Sequence, residues 1–186
     1  WSRNNNYKEE HLHELFANDK SIFEYWSHAA AYLPMRDYRF SLPRKELFTR
    51  GKSHWFKQDK KIKKFVLDRI KAEGPLQSKD FEDNTKREGM WNWKPAKQAL
   101  EQLFMEGKLM IVKRQGFQKV YDLTENVLPS KINANSPTPL EFSEHLISQA
   151  IDNFGLVNPN EIVYLRGHWR QDVQKTIKQL LQTGRI

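Results

Sequence analysis

The sequence contains no cysteine among its 186 residues. Disulfides, thiolate nucleophiles and cysteine-built metal sites are therefore excluded, and a reducing cytoplasm suits the chain best. No apolar run approaches the about 20 residues that cross a bilayer, and no basic, apolar, small-residue succession resembles a secretory signal. Acidic residues are the scarcer charge: 23 Asp and Glu stand against 31 Lys and Arg, a net +8. That excess suits an anionic partner, nucleic acid before a membrane surface. The length holds one or two domains, and the organisation read below favours two small ones plus an incomplete N-terminal piece.

The most informative stretch is residues 89–122, GMWNWKPAKQALEQLFMEGKLMIVKRQGFQKVYD. Asn92 is placed to cap a helix, and Pro95 falls in the first turn, where its missing N–H costs nothing. Ala96, Ala99, Leu100, Leu103 and Phe104 recur at the spacing of one buried helical face, which predicts that Lys94, Lys97, Gln98, Glu101 and Gln102 point away from it. Gly107 can take the left-handed conformation that closes the last turn. Two β-prone runs, residues 109–112 and 120–123, then flank Lys113, Arg114, Gln115, Gly116, Phe117, Gln118 and Lys119. A hairpin tip of that composition suits a phosphate backbone, with Phe117 free to stack on or wedge against a base. An ordinary hairpin with a solvated tip is the plainer reading. The order of elements predicts a winged helix over residues 56–128: a helix from 58 to 73 with Ile62, Phe65, Val66 and Ile70 inward, a short one capped by Ser78, then the helix and hairpin.

Upstream, residues 1–17 are polar and then helical in pattern, with Leu12, Leu15 and Phe16 on one side. Residues 22–32 are the most aromatic segment. A carboxylate near His28 invites a catalytic or metal reading, but no further ligands stand at metal-site spacing, so a packed core around a hydrogen-bonded His28 is preferred and neither metal nor cofactor is expected. Between Arg36 and Lys52, cations including Arg36 and Arg44 alternate with aromatics. This describes either a surface that follows a nucleic-acid backbone or an amphipathic helix whose Arg stems cover its neighbours.

Residues 129–139 read as a proline-rich linker. Beyond it, VQKTIKQLLQTGRI repeats AKQALEQLFMEGKL at an offset of 77 residues, laying Gly184 on Gly107 and Leu180 on Leu103. The repeat predicts a further winged helix over residues 140–186, cut where its first wing strand begins, and residues 1–55 read as the end of an earlier one plus a connector. The expected fold class is thus mainly α with small β-hairpins (α+β), as tandem winged helix-turn-helix domains. The chain starts at Trp1 and stops just after Gly184, which suggests a fragment.

The blocks FEYWSHAAAYLP (23–34), GMWNWKPAKQALEQLFMEGKLM (89–110) and GFQKVYDLTENVLP (116–129) resemble the winged-helix DNA glycosylases of the YcaQ and AlkZ type. Trp91, Trp93, Lys94, Pro95, Ala96 and Lys97 are the most specific match. The resemblance implies removal of alkylated or crosslinked bases from duplex DNA by hydrolysis of the N-glycosidic bond. It also implies a Gln-x-Gln or Gln-x-Asp motif that positions the attacking water. Gln58, Gln77, Gln98, Gln115, Gln118 and Gln171 are none of them followed in that way. No catalytic residue is therefore assigned, and these residues by themselves are expected to lack glycosylase activity.

The expected partner is double-stranded DNA and the expected state a monomer. Lys113, Arg114 and Lys119 would meet phosphates, Phe117 a groove, and Lys94 and Lys97 the backbone at the helix start. Trp91, Trp93, Arg36 and Arg44 are further candidates. A non-enzymatic module, such as a tandem winged-helix transcription regulator, is the alternative, and it predicts a preferred sequence.

Overall fold

A computed structural model describes residues 4–27, 29–51, 59–81 and 95–186. The chain divides into two compact units, residues 1–134 and 135–186. The first combines helices with two small antiparallel sheets, and the second is helical among the described residues, so the chain as a whole mixes α and β.

In the first unit, α1 (Glu9–His13) runs on into a π-helical turn. The aromatic segment is a hairpin of β1 (Ile22–Trp26) and β2 (Ala30–Pro34), with Phe23 opposite Leu33 and Glu24 opposite Tyr32. Phe, Tyr and Trp suit a half-buried pleated surface, and β1 buries Phe23, Glu24 and Tyr25 in succession. A 3-10 stretch then leads into α2 (Leu42–Thr49). The Asp59 carboxylate accepts from the Lys61 and Ile62 amides and so caps α3 (Lys60–Glu73). Gly74, at φ +87°, follows its last turn. The third helix of this group, α4 (Pro95–Met105), packs on α3 and leads into the second sheet. That sheet has the order β3-β5-β4, with β3 (Leu76–Gln77), β4 (Leu109–Gln115) and β5 (Gln118–Leu123), and α5 (Thr124–Val127) follows it. The core joins Val66 and Ile70 of α3, Leu100 and Leu103 of α4, and Leu109 and Ile111 of β4. Each such side chain removed from water contributes about 1.5–3 kcal/mol.

The structure corrects several local expectations. Gln102 is buried, because α4 is covered by α2, α3 and β4 together and its apolar face is wider than one stripe. Phe65 is 53% exposed on the flank of α3, its ring edge against Phe81. Residues 78–81 form the short helix as a 3-10 turn, and the Asp80 carboxylate accepts from the Gln77 amide before it. The hairpin strands are longer than the β-prone runs. Gln115 faces Gln118, so only Gly116 and Phe117 form the turn, and Lys113, Arg114 and Lys119 belong to the ladder. Gly116 at φ +58° supplies the positive φ that a two-residue hairpin needs at its first central position. The Asn92 cap lies outside the described residues.

Lys45 of α2 is buried, and among the described residues no carboxylate pairs with it. Its Nζ lies 3.8 Å from the Tyr38 ring centroid, 4.7 Å from that of Tyr25 and 5.6 Å from that of Phe23. Burial lowers its pKa to about 7, although the ring faces favour the charged form. Its methylenes lie against Gly107, where an added Cβ would stand 2.6 Å from Lys45 Cδ.

The second unit holds α6 (Pro139–Phe154), α7 (Pro159–Ile162) and α8 (Arg170–Gln182). Capping boxes start α6 at Thr138 and α7 at Asn158, each with a glutamate three residues on and a proline at the first helical position. Phe142, Ile147, Val173 and Leu180 are buried. The α8 terminus repeats that of α4 bond for bond. Gly107 N–H donates to Phe104 O and Lys108 N–H to Leu103 O, while Gly184 N–H donates to Leu181 O and Arg185 N–H to Leu180 O. Both glycines have positive φ, +73° and +65°, so the helices share one Schellman ending.

Candidate nucleic-acid interface

The β4–β5 hairpin carries four of the side chains singled out in the sequence, and their surroundings differ. Phe117, at the turn, is 96% exposed and Lys113 is exposed. Arg114 and Lys119 are each tied to a carboxylate from a different element.

Arg114 forms a two-pronged pair with Glu24 of β1. Its Nε lies 2.8 Å from Oε2 and its Nη2 2.6 Å from Oε1. The Glu24 side chain is 3% exposed and that of Arg114 32%. The third nitrogen, Nη1, donates to the Phe117 carbonyl at 3.2 Å, and the Tyr32 hydroxyl also meets the guanidinium. The hydrogen bond to Glu24 is the main cause that raises the Arg114 pKa above its ordinary value. The Tyr32 pKa is raised too, first by burial and then by the Glu24 charge.

Lys119, directly across the ladder from Arg114, is held by a second carboxylate. Its Nζ lies 3.0 and 3.3 Å from the two Glu101 carboxylate oxygens and 4.9 Å from the Phe104 ring centroid. The Tyr121 hydroxyl donates to the same carboxylate at 2.9 Å. Burial first, and then the Glu101 charge, pushes the Tyr121 pKa far up. Glu24 and Glu101 therefore clasp the two strands from β1 and from α4.

The remaining candidates scatter. Lys97 is exposed on α4 and Arg36 on the 3-10 stretch. Arg44 turns inward: its Nη1 donates to the Ser27 carbonyl at 3.0 Å, its guanidinium lies 5.7 Å from the Phe48 ring centroid, and burial lowers its pKa. Lys94, Trp91, Trp93 and His28 lie outside the described residues. Among the described residues no group of three or more His, Asp or Glu side chains is placed to hold a metal ion, and no helix is long and apolar enough to cross a membrane.

Two residues that shape this interface escaped the sequence reading in their actual roles. In the sequence Glu24 is the carboxylate near His28, and Glu101 falls on the outward side of a helix. Their partners are 90 and 18 residues away, separations that no periodicity reports.

What this arrangement offers is an exposed aromatic ring and an exposed lysine on a hairpin whose two strands are each tied to a carboxylate. No solved structure matches the chain. The sequence does match, over residues 1–186, the family described as DNA glycosylase AlkZ-like. The chain therefore belongs to the AlkZ-like DNA glycosylase family.

Proposed function

We propose that this chain is the duplex-gripping part of a DNA-repair glycosylase, built as tandem winged helices, with the β4–β5 hairpin as the wing of residues 56–128. The observation that carries the reading is Phe117, 96% exposed on a two-residue turn beside exposed Lys113, in a member of this family. A large apolar ring held out to water is costly unless it has a partner, and a base stack accepts such a ring. Lys113 supplies a phosphate contact, and Lys97 at the start of α4 and Arg36 supply others. Arg114 and Lys119 contribute positive potential more than direct contacts, because their donors already serve Glu24 and Glu101. The shared ending of α4 and α8 supports the reading that residues 140–186 repeat the same motif. We assign no bond cleavage to these residues, since no Gln-x-Gln or Gln-x-Asp occurs in the sequence. In the complete protein the grip serves excision of alkylated or crosslinked bases.

Binding of the purified chain to a pool of random-sequence duplexes tests this. A lesion enzyme has to accept any sequence, so bound duplexes should show no preferred motif and Phe117→Ala should weaken the binding. Recovery of one sharp motif would replace this reading with a sequence-specific regulator.

A further inference from the structure

Glu24 lies on a hairpin distant in sequence from the wing, yet it takes both prongs of the Arg114 fork, at 2.8 and 2.6 Å, while the third Arg114 nitrogen holds the Phe117 carbonyl at 3.2 Å. The chain of contacts is continuous: a carboxylate 3% exposed in the first unit, a guanidinium, and the backbone of the turn residue whose ring is 96% exposed. On its inner side Phe117 faces a recess of about 400 Å³, bordered also by Ala30, Ala31 and Tyr32, so no packing fixes the ring itself. What the Arg114 bond holds is the turn's backbone, through the Phe117 carbonyl. We infer that Glu24 is a positioning residue for base-stack distortion: through Arg114 it sets the attitude of the turn so that Phe117 enters nucleic acid as a stiff wedge.

This inference rests on the DNA-gripping reading and adds to it. A guanidinium fork on a carboxylate is planar and directional, whereas a free arginine on a hairpin samples many rotamers. The same pair has a second effect. Pairing with Glu24 withholds one cation from the phosphates, so the wedge's stiffness costs the chain some non-specific affinity. Breaking the pair should therefore move two readouts in opposite directions, which simple loss of structure would not do.

The experiment uses a duplex with 2-aminopurine at its centre, whose emission rises when its stack is opened, together with a salt series of binding constants. Three variants are compared with the native chain: Glu24→Gln, Arg114→Lys and Phe117→Ala. Phe117→Ala defines the emission without a wedge. Glu24→Gln should bind at least as tightly, with a salt slope steeper by about one, one more phosphate contact. Its emission at saturation should nevertheless fall at least halfway to the Phe117→Ala level. Arg114→Lys keeps the charge and loses the fork, so its emission should fall alike. It reads the same link from the other end if Glu24→Gln proves unstable. Full emission from both variants, with the native chain bound and distorting, would overturn the role of Glu24 and leave the grip intact. Absence of salt-dependent binding by the native chain would instead overturn the DNA reading beneath it.

Discussion

The Glu101 carboxylate on α4 and the Lys119 ammonium on β5 stand 3.0 Å apart, with the Tyr121 hydroxyl 2.9 Å from the same carboxylate oxygen. The two charged side chains are 23% and 21% exposed, so water screens the pair only in part. Glu101→Gln should cost about 1–2 kcal/mol, because it leaves a half-buried ammonium without its counter-charge. It should also release Lys119 for phosphate. Chemical denaturation and a salt series on one preparation read both effects: a lower midpoint and a duplex-binding slope larger by about one.

Lys45 makes stability depend on pH. Its amine titrates near 7 in the folded chain, against an ordinary value of 10.5. Between those values the unfolded chain binds more protons, so stability should rise with pH from about 7 to 9, by at most about 1.4 kcal/mol per unit. Below 7 this group gives no further slope. Above 10 the raised pKa values of Tyr25 and Tyr38 oppose the trend, since their folded forms then hold the extra protons. Lys45→Met should remove the slope and add on the order of 1–3 kcal/mol at pH 7 by replacing a buried amine with a thioether of similar length. Denaturant midpoints of both chains at pH 6, 7, 8 and 9 check this.

The two helix-ending glycines should respond differently to alanine. Both have positive φ, which costs an alanine about 1–2 kcal/mol. At Gly107 the new methyl group also meets Lys45 Cδ at 2.6 Å, inside a buried contact that cannot move aside, whereas nothing stands within 4 Å at Gly184. Gly107→Ala should therefore destabilise the first unit by more than Gly184→Ala destabilises the second. Hydrogen exchange, read separately on α4 and α8 amides, would show it.

Phe117→Ala should leave the melting temperature unchanged within about 0.5 kcal/mol of stability, since the ring is 96% exposed. A loss of stability beyond that would mean the ring packs against the protein in solution.

Much of this fold was legible because its signals are local. The inward face of α4, the ends at Gly74, Gly107 and Gly184, and the α6 helix all follow from spacing and caps within one or two turns. The β1–β2 hairpin was not read as strands, since its aromatic residues suit a core in either secondary structure. The two-residue β3 is not legible in the sequence because its strand partner β5 lies some 40 residues on, and two residues carry no period. The interface divides in the same way. Phe117 and Lys113 were visible as an exposed turn and an unshielded cation. That Arg114 and Lys119 are committed to Glu24 and Glu101 depends on tertiary contacts between charged residues, which the sequence lists but does not pair.

The central claim is that the β4–β5 hairpin grips duplex DNA through Lys113, and the salt dependence of binding tests it most directly. With an undamaged duplex, the logarithm of the binding constant should fall linearly with the logarithm of salt concentration. Lys113→Ala should lower the magnitude of that slope by about one, more than Arg114→Ala does. A native chain whose binding is absent or indifferent to salt, or a Lys113→Ala slope equal to the native one, would contradict the account.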